Sequence, residues 1–269
     1  MKMIDSHIHL QDFGPDVDIS AIVEQADALG VSYLVCNGTS EADWSVILDL
    51  ADQHRQVVPC LGLHPWFVVG RSAEWESKLE EMISTTNCGV GEIGLDRSIA
   101  DYDEDAQEYA FRVQLDIARR YSRPATLHCV RAWGLLLDVL KSEPALPDNL
   151  LIHAYGGSVD LVKPLAAMGV YFSFSGKVLD RKYERAREAI WAVPPDRLLI
   201  ESDAPNMLPP ERFRTHKVTT PDGKDLNHPA NLPLVVAGIA DLLGESRHAL
   251  IERTWRNARV FFGSVLGRS

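Results

Sequence analysis

The chain has 269 residues, of which 46% are hydrophobic and 24% charged, and its formal net charge is −11. That length fits one large α/β barrel as well as two smaller domains, and the ordinary globular composition excludes disorder. A sequence pI near 5.3 excludes a protein that grips duplex nucleic acid by broad phosphate neutralisation; it leaves a nuclease open, because bound divalent cations would offset acidic charge at the site itself.

From the N-terminus, Met1-Lys2-Met3 lacks the apolar stretch of a signal peptide, and no run of 18 apolar residues occurs anywhere, so a cytoplasmic protein with no membrane partner is expected. The first short apolar run covers residues 3–9. Pro15, harmless at an element start, precedes Ile19, Ile22, Val23 and Ala26, spaced as one helix face. Runs at 31–37 and 57–63 follow, then a second helical stripe of Trp75, Leu79, Met82 and Ile83. The run at 89–93 leads to Phe111, Leu115 and Ala118; the run at 125–128, opened by Pro124, leads to Trp133, Leu136, Leu137 and Leu140. Runs at 150–153, 170–174 and 198–203 complete the set. Residues 204–231 are irregular, rich in Pro and charge, and segments 232–243 and 247–261 again have helical period.

Short apolar runs alternating with helical stripes are the pattern of βα units. Eight of them favour a closed (β/α)₈ TIM barrel, one domain over residues 1–269, over an open doubly wound sheet. No glycine-rich phosphate loop follows the first run, which weakens a nucleotide-binding alternative further. The four cysteines, Cys36, Cys60, Cys88 and Cys129, show no C-x-x-C spacing and read as reduced core residues.

Chemistry collects at the ends of the runs. In Asp5-Ser6-His7-Ile8-His9 a strand projects both imidazoles to one face. Glu92, His128 and His153 end the fourth, fifth and sixth runs, and Asp203 ends the eighth. In a barrel these ends meet at one rim, so His7, His9, Glu92, His128, His153 and Asp203 gather as metal ligands. Any one of them alone would read as a satisfied core or turn residue; together they resist that reading, since buried polar groups are costly unless paired or bound to metal. Four imidazoles and two carboxylates without thiolate suit Zn²⁺, Mn²⁺ or Mg²⁺, and the set is large enough for two divalent ions. Glu92, central in strand order and carrying two oxygens, is assigned the bridge, with His7, His9 and Asp203 on one side and His128 and His153 on the other.

These motifs, with Gly62-Leu63-His64-Pro65, Gly91-Glu92-Ile93-Gly94-Leu95-Asp96, Leu127-His128-Cys129-Val130-Arg131, Phe172-Ser173-Phe174-Ser175-Gly176, Glu201-Ser202-Asp203-Ala204-Pro205 and Asn257-Ala258-Arg259, make the chain resemble the TatD family of metal-dependent hydrolases over nearly its whole length. The resemblance implies hydrolysis of phosphodiester bonds, typically in DNA, as a deoxyribonuclease or 3′-5′ exonuclease. The chain departs from the family pattern at Ala154 to Ser158 after His153, at Arg97 after Asp96, at Asn206 after Pro205 and at His228 before Pro229, so the wall around the ligands differs while the ligands themselves are kept.

In the mechanism this implies, Asp203 is ligand and base, deprotonating a bridging water that attacks phosphorus. His64 and Arg131 are candidate phosphate contacts, though each could equally serve a turn or an ion pair. Arg97, Lys177, Arg212, Arg214 and Lys217 could form a basic rim, and Trp66, Phe67 and Tyr155 could stack a base. The expected partner is a single strand or a DNA end, with no obligate protein partner and a monomer as the working form. Two other readings stand beside this one. An amidohydrolase acting on an amide or lactone would share the His-x-His opening and the final Asp, but often carries a carboxylated lysine where Glu92 stands. A catalytically idle scaffold would be expected to have lost a ligand.

Overall fold

A computed structural model describes residues 1–266. Eight parallel strands stand side by side in chain order: β1 (Met3–Ile8), β2 (Val31–Asn37), β3 (Val57–Leu61), β4 (Gly89–Asp96), β5 (Ala125–Val130), β6 (Leu150–Ile152), β7 (Tyr171–Phe174) and β8 (Leu198–Ile200). The ring returns on itself where Ser6 Oγ donates to the Ile200 carbonyl (3.0 Å), Asp203 N–H to His7 O (3.0 Å) and His9 N–H to Ala204 O (2.8 Å). Helices α1 (Ile19–Ala28), α2 (Trp44–Gln53), α3 (Trp75–Thr85), α4 (Glu104–Arg120), α5 (Trp133–Ser142), α6 (Val159–Ala167) and α7 (Glu184–Ala192) lie between successive strands; α8 (Leu232–Leu243) and α9 (Arg247–Phe262) follow β8. The expected (β/α)₈ barrel is the fold. No helix among the described residues is long and apolar enough to cross a membrane.

Local sequence sets the helix ends. Asp18, Asp103 and Ser246 accept the backbone N–H of Ala21, Ala106 and Ala249 at the starts of α1, α4 and α9, each satisfying a donor that has no partner inside its helix. Gly244 closes α8 with φ 66°, a left-handed conformation that costs glycine no steric clash.

Two apolar layers follow from strand alternation. Leu34, Leu150, Ile152, Leu198 and Ile200 face the surrounding helices in the larger core. Their neighbours Val35, Leu151 and Leu199, with Ile4, Val58 and Tyr171, face into the barrel, where Phe261 and Phe262 of α9 pack beneath them. The amino end of the barrel is thereby filled. Continuing the same alternation, His128, His153, Ser173, Glu201 and Asp203 point inward toward the carboxyl end, where barrel enzymes keep their chemistry.

On β1 and β4 plain alternation would fail. Ile4 is inward and Ile8 outward, and the β1–β2 register shifts between Asp5 and Ile8; that irregularity is what leaves both His7 and His9 inward. Between Val90 and Ile93, both outward, the β4–β5 register shifts again and brings Glu92 inside.

Strand lengths differ from the sequence reading. The β4–β5 ladder runs on through Gly94, Leu95 and Asp96, paired with His128, Cys129 and Val130, and Gly94 is obligatory there: it has φ 143°, and a Cβ would lie 2.0 Å from His128 O. β6 and β8 instead stop at Ile152 and Ile200, so His153 and Asp203 stand just beyond them. Ala154 and Asp203 have φ of 43° and 52°, a conformation incompatible with continuing a strand. The 204–231 stretch is also more ordered than its composition suggests, since β9 (Val218–Thr219) and β10 (Asp225–Leu226) pair as an antiparallel hairpin.

Candidate metal centre

Five strands deliver the six predicted ligands to one buried point. Glu92 Oε2 lies 3.2 Å from His7 Nε2 and 3.3 Å from His9 Nε2; Asp203 Oδ1 lies 3.8 and 3.5 Å from the same two nitrogens, which are 3.0 Å apart. The other oxygen, Oε1, lies 2.7 Å from His128 Nδ1 and 2.5 Å from His153 Nε2. Bonds of about 2.0–2.2 Å around a tetrahedral ion set its ligand atoms about 3.3–3.6 Å apart, so the 3.2, 3.3 and 3.5 Å spacings of the first group, and the 3.3 Å between His128 Nδ1 and His153 Nε2, fit shared ions. His7, His9 and Glu92 form one compact donor trio, and His7, His153 and Asp203 another.

Two of these imidazoles, His9 and His128, are held from behind by hydrogen bonds. His9 Nδ1 lies 2.9 Å from Asn37 O, leaving Nε2 for the centre. His128 is gripped at its far nitrogen by Asp96 Oδ2, 3.0 Å from Nε2, so that Nδ1 faces Glu92. Asp96 also accepts from Ser98 N–H (2.6 Å) and Trp66 Nε1–H (2.7 Å). Glu201, fully buried, accepts from Ala154 N–H and Ser173 Oγ, with His153 Nδ1 3.7 Å away. Such outer partners fix ring orientation and raise ligand basicity. His64 also approaches Glu92 Oε1 (3.5 Å) and, with Glu92 and His128, forms a third trio. Its Nδ1, however, accepts the Trp66 N–H (3.1 Å), so the neutral ring carries its proton on Nε2 and presents a donor to the centre rather than a ligand lone pair.

The electrostatics explain why such a group needs cations. Burial drives the His7 imidazole down to about 3, reinforced by His153, and drives His64 down to about 4, reinforced by His128. Burial also opposes charge on His9, but the hydrogen bond and charge of Glu92, with Asp203, hold it up at about 9. Glu92, despite burial, is held well below the usual carboxylate range by His153, His64 and His7, and burial pushes Asp203 up to about 7 against the pull of His9 and His153. Buried carboxylates here require positive charge, from protons or from divalent ions, and a proton on His9 must leave before Nε2 can ligate. Cation binding at pH 7 is therefore expected to release protons and to tighten as pH rises from 6 toward 9. Calorimetric titration with Zn²⁺ or Mn²⁺ in buffers of different ionisation enthalpy measures that release; heats independent of buffer would refute it.

The centre opens into a cleft of about 600 Å³. His9, His64, Glu92, His128, His153 and Asp203 line it together with Trp66, Phe67, Lys177, Asn206 and Lys224. The structure places several further sequence candidates away from this lining. Arg131 is exposed and outside the cleft lining, because β5 continues past His128 and the chain turns at Arg131 with φ 56°. Tyr155 is 1% exposed, packed between Trp133, Phe172 and Phe174, and offers no stacking face. Of the basic rim only Lys177 lines the cleft: Arg97 pairs with Glu104, Lys217 pairs with Asp225, and Arg212 and Arg214 lie outside its lining. Lys224, a cleft residue the sequence reading missed, comes from the turn between β9 and β10, and nothing in local sequence marks it. Asp96 and Glu201 stood in the motifs without an assigned role. Among the departures from the family pattern, Asn206 is exposed in the cleft, while His228 is buried and accepts the Ala230 N–H at a turn.

A family model described as TatD related DNase matches residues 4–263. The chain is 32% identical over 251 residues to the 3′-5′ ssDNA/RNA exonuclease TatD of Erwinia amylovora, covering 91% of this chain and 94% of that protein. It is 26% identical to the uncharacterized metal-dependent hydrolase YabD of Bacillus subtilis, with coverage of 97% and 98%. Among solved structures it superposes on the TatD homolog YJJV of Escherichia coli with TM-score 0.88 at 25% identity, covering 97% and 98% of the two chains. With the histidine and carboxylate cluster already in place, these matches mean that the chain belongs to the TatD-related DNase family.

Proposed function

We propose that the chain is a metal-dependent phosphodiesterase that removes nucleotides from the 3′ end of single-stranded nucleic acid. The observation that carries this is the two-sided carboxylate of Glu92, with Oε2 toward His7 and His9 and Oε1 toward His128 and His153. On this reading His7, His9 and Asp203 would hold one divalent cation, His128 and His153 a second, and Glu92 both; the donor chemistry fits Zn²⁺, Mn²⁺ or Mg²⁺. Cations held there supply Lewis acidity toward a phosphoryl oxygen and toward water.

The protein's own groups do the rest. Asp203, with an acidity near 7 set by burial, can take a proton at its carboxylate at neutral pH. His64 offers Nε2–H to a non-bridging phosphate oxygen. Lys177 and Lys224 place positive charge in the cleft, against a net −11 for the whole chain, a balance that suits a short stretch of one strand rather than a long duplex. The cleft volume lies within the roughly 300–1,000 Å³ of small-ligand sites. Glu92 on β4, in place of a carboxylated lysine, speaks against the amide or lactone reading.

The experiment is metal add-back. Protein stripped with chelator and reloaded with Zn²⁺, Mn²⁺ or Mg²⁺ singly is expected to shorten a 5′-labelled single strand stepwise from its 3′ end, to act weakly on duplex, and to be silent without metal. Turnover confined to lactones or amides would overturn the reading.

A further inference from the structure

We propose that Trp66 is the stacking platform for the terminal nucleobase of the substrate strand, its indole anchored by the carboxylate that also holds His128; this rests on the strand-end reading above. Trp66 is 55% exposed and lines the cleft, yet it is fixed. Its Nε1–H donates to Asp96 Oδ2 at 2.7 Å, and the same oxygen lies 3.0 Å from His128 Nε2. Its ring stands perpendicular to His64, with centroids 5.0 Å apart and planes at 84°, and its backbone N–H sets the His64 tautomer. Phe67 beside it is 43% exposed and also reaches the cleft.

An exposed indole whose polar edge is already satisfied has only its apolar surface left to offer. A nucleobase is the ligand that uses such a surface, since every base has a π-face and stacking tolerates any sequence. Lys177 and Lys224 in the same cleft would take the phosphates that accompany it. Platform and ligand share Asp96, so a base stacked on Trp66 lies over the residues that orient His128 and His64. The recognised substrate is a strand whose last base is free of a pairing partner.

Binding tests this apart from turnover. A 5′-fluorescein single-stranded trinucleotide and its analogue with a 3′-terminal abasic site are titrated by anisotropy against wild type, Trp66→Leu and Trp66→Phe, each with and without added Mn²⁺. Wild type is expected to bind the complete strand at least about 5-fold more tightly than the abasic one. Trp66→Leu should bind both alike, and Trp66→Phe, which keeps a ring, should retain most of the preference. Wild type without preference, Trp66→Leu with it, or equal loss in both variants would overturn the proposal. If wild type prefers the complete strand but loaded protein shortens neither, the platform stands and the phosphodiesterase reading falls. Shortening of both strands with equal affinity leaves that reading intact and removes the platform.

Discussion

Glu92→Gln is expected to lose the cation from one side of the centre and at least about 10³-fold in turnover of a strand end. The reason is geometric before it is electrostatic. Each oxygen of Glu92 serves a different set of imidazoles, Oε2 at 3.2–3.3 Å from His7 and His9 and Oε1 at 2.5–2.7 Å from His128 and His153. An amide keeps one acceptor and turns a donor toward the other pair, so only one side can still be ligated. The carboxylate is also the buried counter-charge of the whole cluster, and its loss leaves the imidazoles facing one another. Forfeiting several kcal/mol of charge stabilisation corresponds to about a factor of ten in rate for every 1.4 kcal/mol. Metal content by atomic emission, with kcat on a labelled strand and a thermal melt to confirm folding, reads the effect. A variant that keeps two ions per chain and wild-type turnover would remove Glu92 from the bridge.

Asp203→Asn should separate ligation from proton transfer. Its Oδ1 sits 3.5–3.8 Å from the His9 and His7 nitrogens, and asparagine preserves an oxygen there while removing the proton acceptor. Turnover is expected to fall about 10²–10⁴-fold, the usual worth of a positioned acid or base, with KM little changed and at most one cation weakened. If kcat holds and metal content alone drops, Asp203 is a ligand only. If neither moves, it has no place in the chemistry.

The sequence made most of this centre legible because strands impose a period of two and a barrel brings its strand ends together. His128 and His153 could be read from that rule alone. His7, His9 and Glu92 could be named from motif and strand order, but their inward aim depends on two register shifts that composition does not reveal. The outer partners were harder to see. Asp96 and Glu201 act through contacts with residues 32 and 47 positions away in the chain, and a one-dimensional pattern gives no sign of such distances. The position of Arg131 was hidden for a related reason: two further residues of β5 follow His128, and Arg131 itself takes a left-handed turn. Tyr155 looked like a free ring because an aromatic one position beyond a small residue reads the same whether it ends in a cleft or against Phe172.

The register shifts in β1 and β4 carry a consequence for how this site could be lost or remade. A β1 of the same sequence without that shift, alternating strictly from the inward Ile4, would turn both histidines toward the helices, with Ile8 swung into the centre. A β4 without its shift, alternating strictly from the outward Val90, would expel the Glu92 carboxylate. Loss of the irregularity in two short strands, with every residue of the cluster kept, would be enough to leave a bare barrel, so the shifts belong to the site as much as the histidines they aim.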